Sequence, residues 1–235
     1  MKEKIIGILG GMGPDATCAL FDRIIRFTNA KCDKEHIRII IDNNPKIPDR
    51  TSAILGKSAS PVPELVKTAT NLQNSGVDFI VIPCITSHYF LDEIQKEIKV
   101  PILNALTLTK EYIDEKYENI NKIGLIATSG TVKTKLFQNL LDNKEVIIPT
   151  EEEQDKYVME IIYGKEGVKA GYRSGKVKDY LSEIVNRLKD RGAEAIIAGC
   201  TEISLVLSQS DIDIPLIDPL TVMAEKSVLI AKGLI

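Results

Sequence analysis

"LQNSGVDFIVIPC" (Leu72–Cys84) reads in order as a helix end, a glycine stop, an acidic residue, a buried strand and a thiol. "LKDRGAEAIIAGC" (Leu188–Cys200) repeats the same features, and its cysteine lies 116 residues after the first. "KVPILN" (Lys99–Asn104) is answered by "DIPLID" (Asp213–Asp218), with prolines 114 residues apart. "IIGILGGMGPDAT" (Ile5–Thr17) is mirrored by "KIGLIATSGTVKT" (Lys122–Thr134), with Gly7 and Gly124 separated by 117. Self-similarity at one nearly constant offset, about half the chain, is the mark of a duplicated architecture.

The repeated unit is of the α/β type. Strand-like runs at Ile5–Leu9, Ile37–Ile41, Phe79–Ile82, Ile123–Ile126, Val146–Ile148 and Ala195–Ala198 alternate with amphipathic helical stretches such as Glu64–Asn74 and Val177–Lys189. Continuous β-branched strands separated by helices indicate parallel strands covered on both faces. The expected fold is therefore two similar open parallel-sheet halves related by a pseudo-twofold duplication, with the active site in the cleft between them. The expected division is residues 1–103 plus 216–235 for the first half and 104–215 for the second, the last strand and helix returning to the first.

Composition removes several function classes. The 235 residues are 44% hydrophobic and 27% charged, with a net charge of −3, as in an ordinary soluble domain. No basic field suggests nucleic acid, and no polybasic stretch suggests a membrane surface. The N-terminal "MKEKIIGILGGMGP" is basic then apolar, but its apolar run is short and broken by glycines, so it reads as a first strand rather than a leader. The expected location is cytoplasmic. Cys18, Cys32, Cys84 and Cys200 form no CxxC pair, and His36 and His88 are the only histidines, which excludes zinc-finger spacing.

Ligands of open parallel sheets bind beyond the carboxyl ends of the strands. Cys84 and Cys200 both occupy that position, while Cys18 and Cys32 have no echo and read as structural. Matched thiols flanking one pocket suit a reaction that removes a proton from one face of an acidic carbon and returns one to the other. Each thiol is followed by a possible helix start, "ITSHYFLDEIQKEI" with Thr86 or Ser87 as cap and "TEISLVLS" with Thr201 near its beginning, whose N–H groups favour an anion.

The stretches "GILGGMGP", "NNPKIPDRT", "PCITSHYF", "LIATSGTVKT", "GVKAG" and "AGCTEI" together resemble the aspartate/glutamate racemase superfamily, most closely its aspartate racemase branch. The resemblance implies a racemase that works without pyridoxal phosphate, metal or other cofactor, interconverting the L and D forms of an acidic amino acid. It places Cys84 and Cys200 on the two catalytic positions. It also places Arg50 and Lys169 on cationic anchors for substrate carboxylates, and Thr86, Thr131 and Thr201 on donor positions around the α-carboxylate. Glu202, where glutamate racemases carry a histidine, points to the aspartate branch and joins the substrate-binding set, as does Met12 beside the glycine-rich loop. A homodimer is implied on the same basis.

The chain departs from the family at Ile85, where an asparagine is usual. That change leaves open another amino acid such as glutamate, or a related isomerase or decarboxylase. A non-enzymatic amino-acid-binding protein is the remaining reading. "GGMGPDA" contains a GxGxxA pattern, but Asp42 comes too late for a dinucleotide fingerprint, so the loop is assigned to the amino-acid pocket. "NNPKIPDRTSAILGKSASPVP" (Asn43–Pro63) reads as a polar loop or flap carrying Arg50, and His88 as a histidine satisfied by backbone or one that tunes Cys84.

Overall fold

The computed structural model describes residues 3–235; the two residues at the basic start of the N-terminal run lie outside them. The chain divides into two compact units. One runs to Leu108 and takes back Leu220–Ile235, and the other is Thr109–Pro219. Each is an α/β unit built on an open parallel sheet, as the alternation of strands and helices requires.

In the first unit, β1 (Ile6–Gly10) is followed by α1 (Pro14–Thr28), β2 (Ile39–Asn43), α2 (Arg50–Ile54), α3 (Val62–Asn74), β3 (Phe79–Val81) and α4 (Leu91–Glu97). The sheet order is β2-β1-β3, with Ile8 level with Ile41 on one side and Val81 on the other. An isolated bridge from Ile80 to Ile102 adds the start of a fourth strand. α3 buries Leu65, Thr68, Ala69 and Leu72, the stripe that its period of 3.6 dictates.

The unit boundaries fall inside α5 (Ala105–Lys116) and at the start of α12 (Pro219–Ala231). Between them the second unit contains β4 (Lys122–Ile126), α6 (Ser129–Lys133), α7 (Leu136–Leu140), β5 (Glu145–Ile147) and α8 (Glu151–Glu153). A π-helical stretch, Gln154–Met159, leads into α9 (Glu160–Tyr163), followed by α10 (Lys176–Asp190), β6 (Ala195–Ala198), α11 (Thr201–Ser204) and β7 (Leu216–Ile217). The sheet order is β5-β4-β6-β7, all parallel, so the strand at Leu216–Ile217 pairs with β6. α10 buries Val177, Leu181, Ile184, Val185 and Leu188 against this sheet.

The duplication extends to individual hydrogen bonds. The Asp78 carboxylate accepts from the Ile5 N–H at 2.6 Å, and Glu194, at the matching position, accepts from Asn121 and Lys122 at 2.7 and 2.8 Å. Thus the acidic residue of the repeated motif fastens the first strand of its own sheet. The preceding glycines, Gly76 (φ 80°) and Gly192 (φ 94°), both adopt the left-handed conformation that ends α3 and α10 and that a side chain would strain.

Two of the expected helices are shorter than the sequence suggested. Ile85–Phe90 forms a 3-10 turn before α4 begins, and neither Thr86 nor Ser87 caps it. Instead Ser87 Oγ donates back to the Cys84 carbonyl at 2.6 Å, the local competition with helix expected of serine. The stretch after Cys200 closes only the single turn α11. Asn43–Pro63 is not wholly loop, because the Asp49 side chain accepts from Ser52 N at 2.7 Å and starts α2. Among the described residues no helix is long and apolar enough to cross a membrane.

Candidate active site

In the first unit Cys84 lies just beyond β3 and is buried, 6% exposed. It packs in one apolar cluster with Met12 and Ile47, so the loop after β1 and the approach to α2 both reach the thiol's surroundings. The loop after β1 is built on Gly11 (φ 97°), where a Cβ would fall 2.3 Å from the Asn44 carbonyl carbon. Only glycine fits there. The Gly11 N–H donates to Thr17 Oγ1 at 2.9 Å, tying the loop to α1.

Arg50, in the first turn of α2, is buried rather than spread on the surface. Its Nη1 donates to the Pro48 carbonyl at 3.1 Å and its Nη2 to the Met12 carbonyl at 3.3 Å. The guanidinium is thereby held against the β1 loop, bringing Arg50 and Met12 together. α2 packs on the turn Ile85–Phe90, which carries Thr86. Thr86 and Ile85 are both buried, Ile85 at 2% exposed.

His88 takes the backbone-satisfied role. Its Nε2 accepts from the Ala105 N–H at 3.1 Å, which leaves Nδ1 as the protonated nitrogen, 3.1 Å from the Cys84 carbonyl. Burial pushes its pKa down, against the backbone hydrogen bonds at Cys84 that would raise it. A neutral histidine therefore braces the turn below the thiol.

In the second unit Cys200 follows β6 through Gly199, where a Cβ would meet Leu125 Cδ1 at 2.5 Å. The glycine allows the backbone to press against the neighbouring strand, β4. Cys200, 4% exposed, directs its Sγ to Glu202 Oε2 at 2.9 Å. Thr201 Oγ1 reaches the same oxygen at 3.4 Å. The other oxygen, Oε1, pairs with Lys169 Nζ at 2.6 Å, and that ammonium sits 5.4 Å from the Tyr163 ring centre. Cys200, Thr201, Glu202 and Lys169 thus form one cluster.

The electrostatics of this cluster are coupled. Burial, then the charge of Glu202 and its hydrogen bond, push the Cys200 thiol well above its ordinary value, and Lys169 opposes them without prevailing. Burial alone would raise the Glu202 carboxyl. The Lys169 ammonium and the Cys200 hydrogen bond outweigh it and hold the carboxyl below its usual range. The resting pair is a thiol donating to a carboxylate.

Thr131 lies fully buried in the first turn of α6, its N–H on Thr128 Oγ1 at 3.3 Å. That turn follows β4, the strand paired with β6. The sequence reading overlooked Gln154, whose Nε2 donates to the Ala127 carbonyl at 2.9 Å and fixes this loop. Its place at the start of the π-helical stretch was not visible in a run of acidic residues. It also overlooked Thr51, whose buried Oγ1 has no hydrogen-bond partner among the described residues. The signal was there in "DRT", a hydroxyl directly after the arginine. Among the described residues no group of three His, Cys, Asp or Glu side chains is arranged to hold a metal.

Each unit is thus an open parallel sheet with a buried thiol just beyond one of its strands, and the second thiol is bonded to a carboxylate. The Asp/Glu/hydantoin racemase model matches residues 9–226, and the chain belongs to that family. It is, as a class, a racemase. It is 26% identical over 230 residues to the broad specificity amino-acid racemase RacX of Bacillus subtilis (strain 168), covering 95% of this chain and 96% of that one. The structure resembles Picrophilus torridus aspartate racemase with a TM-score of 0.83 and 27% identity, over 97% of this chain and 94% of that one. A glutamate racemase from Francisella tularensis subsp. tularensis SCHU S4, in complex with D-glutamate, shares the fold at a TM-score of 0.69 and 21% identity, over 100% of this chain and 84% of that one.

Proposed function

We propose that the protein interconverts the L and D forms of an amino acid, aspartate first, by proton transfer between the α-carbon and the thiols of Cys84 and Cys200, without an organic cofactor or metal. The observation that carries this reading is the repetition of one arrangement: each thiol is buried and follows a strand of a parallel sheet. One thiolate removes the α-proton and the other thiol delivers a proton to the opposite face. The intermediate carries carbanion charge delocalised onto the α-carboxylate. Arg50 and the donors of Thr86, Thr131 and Thr201 supply positive potential there, fixed in advance of the reaction. The likeness to an aspartate racemase supports aspartate as substrate. The same reading includes a cytoplasmic homodimer.

A second substrate range has its own support. Ile85, buried and directly after Cys84 in the chain, puts an apolar side chain where the family has an amide, and one relative is a broad specificity racemase. Neutral amino acids, and glutamate, therefore belong in the same assay.

The test is incubation of the purified protein in heavy water with L-aspartate, L-glutamate and a panel of neutral L-amino acids, with nothing added. Deuterium at the α-carbon and formation of the D-enantiomer are expected. Cys84→Ser and Cys200→Ser each lower the rate by about 100-fold or more, the scale of a lost acid or base. Wild-type exchange in both variants overturns the mechanism, exchange on no amino acid overturns the function, and light scattering that finds a monomer removes the dimer.

A further inference from the structure

We propose that Glu202 is the proton partner of Cys200, and that Lys169 is the counter-ion that keeps Glu202 ionised. The proposal rests on the racemase reading and goes beyond it by reassigning two residues from substrate binding. Both oxygens of Glu202 are engaged within the protein: Oε1 with Lys169 at 2.6 Å, and Oε2 with Cys200 Sγ at 2.9 Å. A carboxylate so placed is a poor contact for an anionic substrate. It repels another carboxylate, and it partly neutralises the ammonium that would otherwise attract one. What it suits is a proton on the neighbouring sulfur.

The step balances within the cluster. At rest the proton is on sulfur and the charge on Glu202. When Cys200 acts as base, its S–H proton passes to Glu202 Oε2, leaving a thiolate beside a neutral acid. The sulfur lone pair then takes the substrate α-proton, the C–H electrons remain on the substrate as the carbanion, and Cys200 is a thiol again. At no stage do a thiolate and an ionised carboxylate stand side by side, an arrangement that burial makes costly. When Cys200 acts as acid the same steps run in reverse: with Glu202 protonated, the S–H proton goes to the carbanion, and Glu202 Oε2 then returns its proton to the sulfur, restoring thiol and carboxylate. Lys169 never reacts. It positions and holds the single negative charge that the thiol and the carboxyl share.

The elements packed most closely on α11 add few charges among the described residues. α11 packs against α9, β6 and the turn Val168–Ala170. α9 carries Tyr163, whose ring faces Lys169, and Glu160, which is half exposed and pairs with Lys176. β6 carries no titratable residue, and the turn carries Lys169. At the end of α11, Ser204 donates to Asp218, which follows β7, at 2.7 Å.

The experiment follows alkylation of Cys200 by iodoacetamide as a function of pH, read by peptide mass mapping so that exposed Cys18 and Cys32 do not interfere, alongside steady-state racemisation. In Glu202→Gln the alkylation midpoint moves down by about one pH unit or more, because the negative neighbour is gone while Lys169 stays. In Lys169→Met it moves up. Glu202→Gln lowers kcat by about 100-fold, as loss of an acid–base partner does, with KM changed less than about threefold. An unmoved midpoint in both variants overturns the proposal, as does Glu202→Gln with raised KM and intact kcat, the signature of a substrate anchor. Absence of racemisation by the wild type overturns the functional reading separately, since the alkylation midpoints are read without substrate.

Discussion

The backbone N–H of Ala105 points at Nε2 of His88 across 3.1 Å. That bond selects the tautomer with hydrogen on Nδ1, which then donates to the Cys84 carbonyl. The imidazole ties the start of α5 to the turn that follows the thiol, and it does so only while neutral. Burial places its folded pKa below the ordinary 6.5. The folded chain therefore binds fewer protons than the unfolded one as the solution is acidified. The stability contributed by neutral His88 is complete above 6.5 and is lost as pH falls from there through the lower folded value. The wild type accordingly shows a Tm that falls as the pH drops below 6.5, and His88→Phe flattens that slope. The variant also costs about 2 kcal/mol at neutral pH for two buried hydrogen bonds, measurable by urea unfolding.

How far the sequence reached can be judged at such positions. The parallel sheets were legible because runs like "FIVI" and "AIIA" are apolar and buried along their length, and because the duplication doubled each signal. The matching places of Cys84 and Cys200, each just after a parallel strand, were legible for the same reason. The bond from Glu202 to Lys169 was not, because residues 33 apart meet only when the turn Val168–Ala170 folds back onto α11. Nor was the burial of Arg50, which depends on carbonyls at Met12 and Pro48 that no local pattern announces. Side chains that answer to the backbone of distant loops leave no period in the sequence.

The duplication itself is testable through glutamine. Gln95 Oε1 accepts from Ile102 N at 2.8 Å, and its Nε2 donates to the Ile98 and Val100 carbonyls. Gln209, 114 residues later, accepts from Leu216 N at 2.8 Å and donates to Ile212 and Ile214. Each amide clamps the bend that leads into its sheet's outermost extended segment. Gln95→Ala is expected to cost about 1–2 kcal/mol, and Gln209→Ala less, because the latter's bonds lie in solvent where water replaces them. Chemical denaturation of the two variants checks the order. An equal loss at both sites would contradict it.

Gly11 should tolerate nothing larger. Its φ of 97° and the 2.3 Å approach of a Cβ to the Asn44 carbonyl carbon act together. Gly11→Ala must shift the loop that bears Met12, with a loss of about 2 kcal/mol or more. Gly56, with φ 73° and open space around it, carries the conformational strain without the collision. Gly56→Ala is therefore the milder of the two in thermal unfolding, and Gly11→Ala alone lowers racemisation.

Ile85 is the residue at which substrate range and stability meet. Its side chain is 2% exposed in the turn next to Cys84. Replacing it with the family's asparagine introduces an amide at a buried position, which costs about 1–3 kcal/mol where no partner is available. A bound acidic amino acid offers that partner in its carboxylate. Ile85→Asn is thus expected to lower Tm in the free enzyme, to recover part of that loss on addition of aspartate, and to raise the ratio of kcat/KM for aspartate over neutral amino acids. The assay is the heavy-water panel run on both proteins. An unchanged ratio, with Tm lowered equally in the presence and absence of aspartate, would show that Ile85 packs the core and has no part in choosing the substrate.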